Sequence, residues 1–222
     1  MFRTTDGWIS QFKERGALWL HDGNSKRPHA LLTSGMHSDG FFNSELVMED
    51  SIFLNNACSY LVELLQQDNL DLSSVDRVVG PAMGAITLAN DISRNLGLRR
   101  SRSCLRAYVE KEMDGNKKIM VFKKTLIRSK ERILIVEDVL TTGGSVELTA
   151  AAITKAGGTV LPFVAVLVNR SNLTEVGGRK IIALINRPMP MWTPKKCPLC
   201  KKGSEAIRPK GTKNWNRLNT SY

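Results

Sequence analysis

The sequence contains no apolar run long enough to cross a bilayer, and its first ten residues are not an apolar stretch behind a basic one. A transmembrane helix needs about 20 consecutive apolar residues, and a secretory signal needs an apolar core after positive charges. These absences argue against membrane-spanning and secreted proteins, so we expect a cytoplasmic protein. Internal repeats and low-complexity tracts are also absent. With 42% apolar residues the chain can bury a core, so disorder is not the default expectation.

Cysteine is scarce: the chain has four, and without an export signal we expect all of them to be thiols. Cys197 and Cys200 have the spacing of half a zinc site, which needs two further ligands. The remaining candidates have no paired spacing: Cys58, Cys104, His21, His29 and His37. We therefore favour two thiols in a peripheral segment and keep structural zinc as the alternative. A redox role is less favoured, because the pair does not begin a helix after a strand.

Acidic residues are outnumbered, with 21 Asp and Glu against 32 Lys and Arg and a net charge of +11. This balance fits an anionic partner, which could be nucleic acid, a membrane surface or a phosphorylated small molecule. Much of the excess lies in residues 99–106 and 195–213. Each cluster could equally be a solvated surface.

Short apolar segments alternate with helical segments along the middle of the chain. The predicted strands are Val75–Val79, Ser103–Val109, Ile133–Val136, Val160–Val168 and Lys180–Ile185, and the main predicted helices are Asp50–Gln67, Ala85–Leu96 and Ser145–Ala156. This alternation predicts an α/β fold with a mostly parallel sheet flanked by helices. We expect one domain over residues 1–186, with a small N-terminal hood at about 1–48. Residues 187–222 are basic and contain several prolines, which predicts an extended or peripheral C-terminal arm.

One segment carries clear chemistry: Glu137 and Asp138 follow the buried strand, and Thr141–Ser145 then leads into a helix. Ligands of open α/β sheets bind at the carboxyl ends of the strands. Adjacent carboxylates suit vicinal hydroxyls, whereas a Gly-rich turn at a helix N-terminus suits a phosphate. Together they predict a sugar-phosphate site. The alternative, a capped strand-to-helix turn, does not explain the acidic pair. A Walker loop would need a Lys after the glycines, and a dinucleotide fingerprint a different glycine spacing.

The segment Val136–Ser145 resembles the motif by which type I phosphoribosyltransferases bind 5-phosphoribosyl-1-pyrophosphate (PRPP). The resemblance implies the fold of that family. It also implies that Glu137 and Asp138 hold the ribose hydroxyls. The implied 5-phosphate ligands are Thr141, Thr142, Gly143, Gly144 and Ser145.

Further segments resemble orotate phosphoribosyltransferases and occur in that family's order. Gly16–Leu18 and Leu32–Ser38 are similar to its N-terminal hood. The resemblance implies that Phe41, Phe42, Thr141 and Arg170 bind orotate, with the Arg170 guanidinium on the orotate carboxylate. The residues implied to receive pyrophosphate are Pro81, Ala82, Met83 and Gly84.

The family's basic loop is matched only in part by residues 110–115. Lys111 and Glu112 correspond to the family pattern, whereas Glu110 and Asp114 stand where the family usually has Arg and Lys. We expect Lys111 to be the loop cation that acts on PRPP, with Glu137 and Asp138 completing the catalytic set. Nearby lysines could supply charge from shifted positions.

The resemblance implies transfer of a phosphoribosyl group from PRPP to orotate with release of pyrophosphate, in de novo pyrimidine synthesis. Mg²⁺, held mainly through PRPP, would be the cofactor, and a homodimer would exchange the 110–122 loop between its subunits. Two alternatives stay open. The first is a phosphoribosyltransferase for another base. The second is a PRPP-sensing regulator that binds nucleic acid through its basic tail, although no separate nucleic-acid-binding module is visible.

Overall fold

The computed structural model of the protein describes residues 4–222. The chain forms two compact units: a central unit of residues 48–187, and a terminal unit that combines residues 4–47 with residues 188–222. The predicted boundary near residue 187 coincides with this division. The N-terminal hood segment, however, groups with the C-terminal segment instead of with the sheet.

The central unit alternates strands and helices as the apolar pattern predicts. Its elements are α3 (Ser51–Gln67), β5 (Arg77–Pro81), α4 (Ile86–Arg100), β6 (Leu105–Asp114), β7 (Lys117–Val121), β8 (Arg132–Leu140), α5 (Gly144–Lys155), β9 (Thr159–Asn169), β10 (Glu175–Val176) and β11 (Arg179–Asn186). Seven strands form one sheet in the order β10-β11-β9-β8-β5-β6-β7. The five inner strands are parallel to their neighbours, and β10 and β7 pair antiparallel at the two edges.

Strand β8 is the central strand of the sheet, and its apolar run is buried on both faces. Residues 133–136 are all 0% exposed. Ile133 and Ile135 belong to a cluster with Val146 and Ile153 of α5, and the alternate side chains of a strand face the opposite side. The parallel sheet with flanking helices confirms the predicted fold class. The carboxyl ends of β5, β8 and β9 meet at one edge, where the predicted sugar-phosphate motif begins.

The terminal unit contains short strands and helices from both ends of the chain. Its elements are α1 (Thr5–Glu14), β1 (Leu18–Leu20), β2 (His29–Leu31), β3 (His37–Ser38), β4 (Gly40–Phe42), α2 (Glu45–Met48, at the boundary), α6 (Pro198–Lys201), β12 (Ala206–Ile207) and α7 (Thr212–Asn219). Strands β12, β2 and β3 form a three-stranded sheet, and β1 pairs with β4.

The C-terminal segment differs from the predicted extended arm. Ala206 and Ile207 pair in parallel with β2, and Leu218 of α7 is 0% exposed. The Trp19 indole N–H also donates to the Leu218 carbonyl at 2.9 Å. The prolines and lysines indicated a solvated arm, but the few apolar side chains between them are enough to attach the segment to the N-terminal strands.

Candidate active site

The acidic pair lies near the C-terminal end of β8, at the edge of the sheet where the parallel strands end. Glu137 is buried and Asp138 is half-buried. Burial, and next the neighbouring Asp138 carboxylate, raises the pKa of Glu137 well above its usual range, while Lys111 acts weakly in the opposite direction. The pair therefore offers hydrogen-bond acceptors in two environments: Glu137 is shielded from solvent, and Asp138 is accessible to a ligand.

The segment after β8 makes a tight entry into helix α5. Gly143 has φ of 80° and no side chain caps the helix. The first helical N–H groups have no partner within a helix, so Gly144 and Ser145 present donors at the positive end of α5. A Cβ on Gly143 would lie 2.8 Å from Val176 Cγ2. Both the left-handed backbone and this close approach of β10 require glycine here.

The turn after β5 approaches the acidic pair from the neighbouring strand. A Cβ on Gly84 would lie 2.6 Å from Asp138 Oδ2 and 2.9 Å from Oδ1. The Ala82 N–H donates to the Val109 carbonyl at 2.8 Å, and the Met83 side chain is 81% exposed. The structure therefore places the Pro81–Gly84 turn directly beside the predicted ribose-binding carboxylate.

The segment at residues 110–122 was expected to form a loop, but as far as Val121 it forms the outer part of a β-hairpin. Lys111 of β6 pairs with Met120 of β7, and its side chain is exposed. Lys123 lies 3.2 Å from Glu112 and 3.5 Å from Glu110. These two carboxylates raise the pKa of Lys123, so its charge is compensated locally. Lys111 has an electrostatic effect on Glu137 of the same chain, and it is the smallest of the effects that shift the pKa of Glu137.

Arg170 directly follows β9, and its side chain is only 1% exposed. Its N–H donates to the Leu140 carbonyl at 3.1 Å, which holds it beside the end of β8. Asn169 organises the next turn: its Oδ1 accepts from the Ser171 N–H and hydroxyl, and its Nδ2 donates to the Leu173 carbonyl. A structural role thus accounts for Asn169, while Arg170 brings a buried guanidinium to the sheet edge.

The predicted aromatic pair lies in the terminal unit, on β4. Phe42 is 2% exposed and makes an edge-to-face contact with Phe12 at 5.5 Å between ring centroids. Phe41 points to the other side of the strand, is half-buried, and lies 5.9 Å from the Trp215 ring. Phe42 is therefore part of the core of this unit, and Phe41 is the ring that keeps an accessible face.

The two vicinal cysteines are not isolated thiols. His29, His37, Cys197 and Cys200 each offer one ligand atom, and these atoms all lie within 4.8 Å of one another. The cysteines were expected to lie in a peripheral segment, but Cys197 is 0% exposed, and both thiols lie beside the histidines. The eight-residue spacing of the two histidines matches no ligand motif; the antiparallel pairing of β2 with β3 brings them together.

The model of the phosphoribosyl transferase domain family matches residues 56–183. The orotate phosphoribosyltransferase of Pelotomaculum thermopropionicum is 34% identical over 207 residues, covering 93% of this chain and 97% of the relative. That of Heliobacterium modesticaldum is 35% identical over 182 residues, covering 82% and 88%.

The chain belongs to the orotate phosphoribosyltransferase family. This confirms the recognition made from the acidic pair, the phosphate turn and the hood segments. The crystal structure of orotate phosphoribosyltransferase from Aeropyrum pernix superposes with a TM-score of 0.56 at 24% identity, covering 80% of this chain and 92% of that one, and shows the shared fold. Within residues 4–222, no helix is long and apolar enough to cross a membrane.

Proposed function

We propose that this member of the orotate phosphoribosyltransferase family joins orotate to C1 of the ribose of PRPP. The bond from C1 to pyrophosphate breaks, a bond from an orotate ring nitrogen to C1 forms as that nitrogen releases its proton, and orotidine 5′-monophosphate and pyrophosphate leave. The observation that carries this proposal is the packing of Gly84 against Asp138. It supports an arrangement in which the pyrophosphate turn and the ribose carboxylates act on one ligand.

Each part of PRPP has a fitting group at this edge. The Asp138 carboxylate and the carboxyl oxygens of Glu137 accept from the ribose hydroxyls, and the N–H and hydroxyl groups of Thr141–Ser145 donate to the 5-phosphate. The Pro81–Gly84 turn and Lys111 face the leaving pyrophosphate. As C1 becomes cationic and pyrophosphate gathers charge, fixed donors and a lysine stabilise the transition state most.

The acidic pair also fits the Mg²⁺ that the family implies. Among the described residues, the only cluster of three or more His, Cys, Asp or Glu ligands is the one in the terminal unit. Mg²⁺ commonly uses one or two carboxylates together with substrate phosphates. Glu137 and Asp138 would therefore act on a metal held mainly by PRPP, which supplies positive charge at the leaving group.

The base is assigned from Arg170. A guanidinium matches a carboxylate with two parallel hydrogen bonds, and orotate differs from uracil by a carboxylate. The family resemblance also implies Phe41 as an orotate contact, and an aromatic face suits a planar ring.

The basic segment at residues 99–106, one of the two basic clusters, offers little free charge to a nucleic acid. Arg99 donates to Glu63 and Ser59, and Arg100 donates to the carbonyls of Leu72, Val75 and Ser103. Arg102 lies 3.4 Å from Asp76. These charges are used in local structure, so less of the +11 excess is free for a polyanion.

The reaction is tested by incubating purified protein with PRPP, Mg²⁺ and a panel of orotate, uracil, adenine and hypoxanthine. We expect loss of orotate absorbance with matching yields of orotidine 5′-monophosphate and pyrophosphate. Turnover of another base in preference to orotate would contradict the assignment of Arg170. Salt-dependent binding of DNA or RNA without any turnover would favour the regulator instead.

We further propose a cytoplasmic homodimer in which the β6–β7 hairpin of one subunit serves the acidic pair of the other. Mixing inactive Lys111→Ala with inactive Asp138→Asn tests this exchange. If subunits exchange freely, about a quarter of wild-type activity returns, because half of the dimers are mixed and each has one intact site. Absence of any recovery in verified mixed dimers would place Lys111 in the same subunit as its target.

A further inference from the structure

We propose that the terminal unit holds a structural Zn²⁺ ion, ligated by His29 Nε2, His37 Nδ1, Cys197 Sγ and Cys200 Sγ. The proposal is independent of the transferase reaction, which takes place at the sheet edge of the central unit. Two imidazoles and two thiolates form one of the standard ligand sets of structural zinc. All four ligands come from the protein, so the site has no open position for a substrate.

The distances between the ligand atoms fit a tetrahedral ion. Zn–S bonds of about 2.3 Å and Zn–N bonds of about 2.0–2.1 Å space the ligands by about 3.3 Å for N–N and about 3.6 Å for N–S. In the structure His29 Nε2 lies 2.9 Å from His37 Nδ1 and 3.5 Å from each sulfur. Cys200 Sγ lies 3.2 Å from His37 Nδ1. These four distances need shifts of a few tenths of an ångström to admit the ion, and the other two pairs of ligand atoms lie within 4.8 Å.

The hydrogen bonds around His29 leave its Nε2 lone pair facing the cluster. The Ser204 hydroxyl donates its only hydrogen to the Arg27 carbonyl at 2.6 Å. His29 Nδ1 lies 2.8 Å from the same Ser204 oxygen, so Nδ1 must carry the proton and donate. A neutral imidazole protonated on Nδ1 ligates through Nε2, and such an outer partner is the usual support of a metal-bound histidine.

The backbone positions both halves of the site before any ion binds. Strands β2 and β3 carry the histidines, and the Cys197–Cys200 turn is closed by bonds from the Lys201 N–H to the Cys197 carbonyl and from the Gly203 N–H to the Cys200 carbonyl. The His37 and Trp192 backbones also exchange hydrogen bonds in both directions. The backbone pairing of Trp192 with His37 therefore brings the chain that leads into the cysteine turn beside β3.

Burial explains why an ion is a better partner for these groups than a set of hydrogen bonds. Three of the four residues are buried and Cys200 is half-buried. Two thiolates carry two negative charges, which one Zn²⁺ neutralises, whereas unpaired buried charges are costly. The ion would also join segments 168 positions apart in the chain, and clips that close long loops restrict the unfolded chain.

The site is tested by elemental analysis of protein purified without added zinc and without a metal-affinity tag. We expect one zinc per chain in the wild type, and loss of zinc in Cys197→Ser and in His29→Ala. Cys104→Ser is the matched control, because Cys104 is a half-buried thiol of the central unit, and it should keep one zinc. Zinc-free wild type, or equal zinc in all three variants, would overturn the proposal.

A second measurement avoids variants that fail to fold. Wild-type protein stripped with a zinc-selective chelator and reloaded with Co²⁺ should show the visible absorption of tetrahedral cobalt and a thiolate charge-transfer band. Its thermal unfolding midpoint should fall on stripping and recover on addition of Zn²⁺. The alternative state of the two cysteines is a disulfide, which mass spectrometry after alkylation would detect. A Cys197–Cys200 disulfide in protein kept under reducing conditions would contradict the proposal.

Discussion

The contact between Gly84 and Asp138 allows the site to be perturbed by a single methyl group. In Gly84→Ala the new Cβ would meet Asp138 Oδ2 at 2.6 Å, whereas ordinary contact begins near 3.4 Å. The carboxylate or the turn must therefore move by about 0.8 Å, and a misplacement of about 1 Å in an active site can lower the rate by roughly 100-fold. We expect kcat/KM for PRPP to fall by roughly 10- to 100-fold, which corresponds to about 1.4–2.7 kcal/mol. The backbone of Gly84 needs no positive φ, so the effect would come from the clash alone.

The assay is steady-state orotate consumption at varied PRPP, with the thermal unfolding midpoint measured in parallel. Gly97→Ala is the control, because Gly97 lies inside α4 and a Cβ there would find its nearest neighbour at 3.4 Å. That variant should keep wild-type kinetics. A Gly84→Ala enzyme with unchanged kcat/KM and an unchanged midpoint would refute the argument that this turn and Asp138 act on the same ligand.

Three further predictions concern the charged groups. The pKa of Glu137 is raised in the folded protein, so the folded protein keeps a proton that the unfolded chain releases above about pH 4.3. The free energy of unfolding therefore falls as the pH rises from that value towards the raised pKa. Glu137→Gln should therefore abolish this pH dependence and raise the thermal unfolding midpoint at neutral pH, while weakening PRPP binding. A midpoint below that of the wild type across the pH range would contradict this prediction. Arg170→Lys should raise KM for orotate by at least ~10-fold, because the bidentate fork is lost, and leave KM for PRPP unchanged. If KM for both substrates is unaltered, Arg170 is structural. Lys111→Ala should lower kcat by roughly 100-fold with little change in stability. Lys123→Ala should lower kcat less, because Glu110 and Glu112 already compensate the charge of Lys123. Equal kcat values for the two variants would exclude a special role for Lys111.

The central sheet was predictable because its signals are local. Residues 133–136 are apolar without interruption, and the glycines at 143 and 157 mark the ends of α5. The acidic pair and phosphate turn follow directly from that strand. Helix α4 runs on to Arg100, past its predicted end at Leu96. The Gly97 that follows weakens a helix without forbidding it, and the Arg100 side chain donates to nearby carbonyls.

The features that escaped prediction depend on pairing between distant or weakly patterned segments. The β6–β7 hairpin was missed because its strands are polar, although Asp114-Gly115-Asn116 is a readable turn signal. The parallel pairing of Ala206 with His29 spans more than 170 residues, and no local pattern encodes it. The histidines of the cluster were missed for the same reason, since only strand pairing and the packing of the C-terminal segment bring them to the cysteines.

The central claim is that Glu137 and Asp138 bind the ribose of PRPP, and equilibrium binding tests it without requiring turnover. Titration calorimetry with PRPP and Mg²⁺ should compare wild type with Asp138→Asn and with Glu49→Gln, which removes one exposed acid before α3. We expect Asp138→Asn to weaken binding by at least ~10-fold, because a hydrogen bond to a charged acceptor contributes about 1.5–3 kcal/mol. The Glu49→Gln variant should bind like the wild type. Equal PRPP affinity in all three proteins would contradict the account.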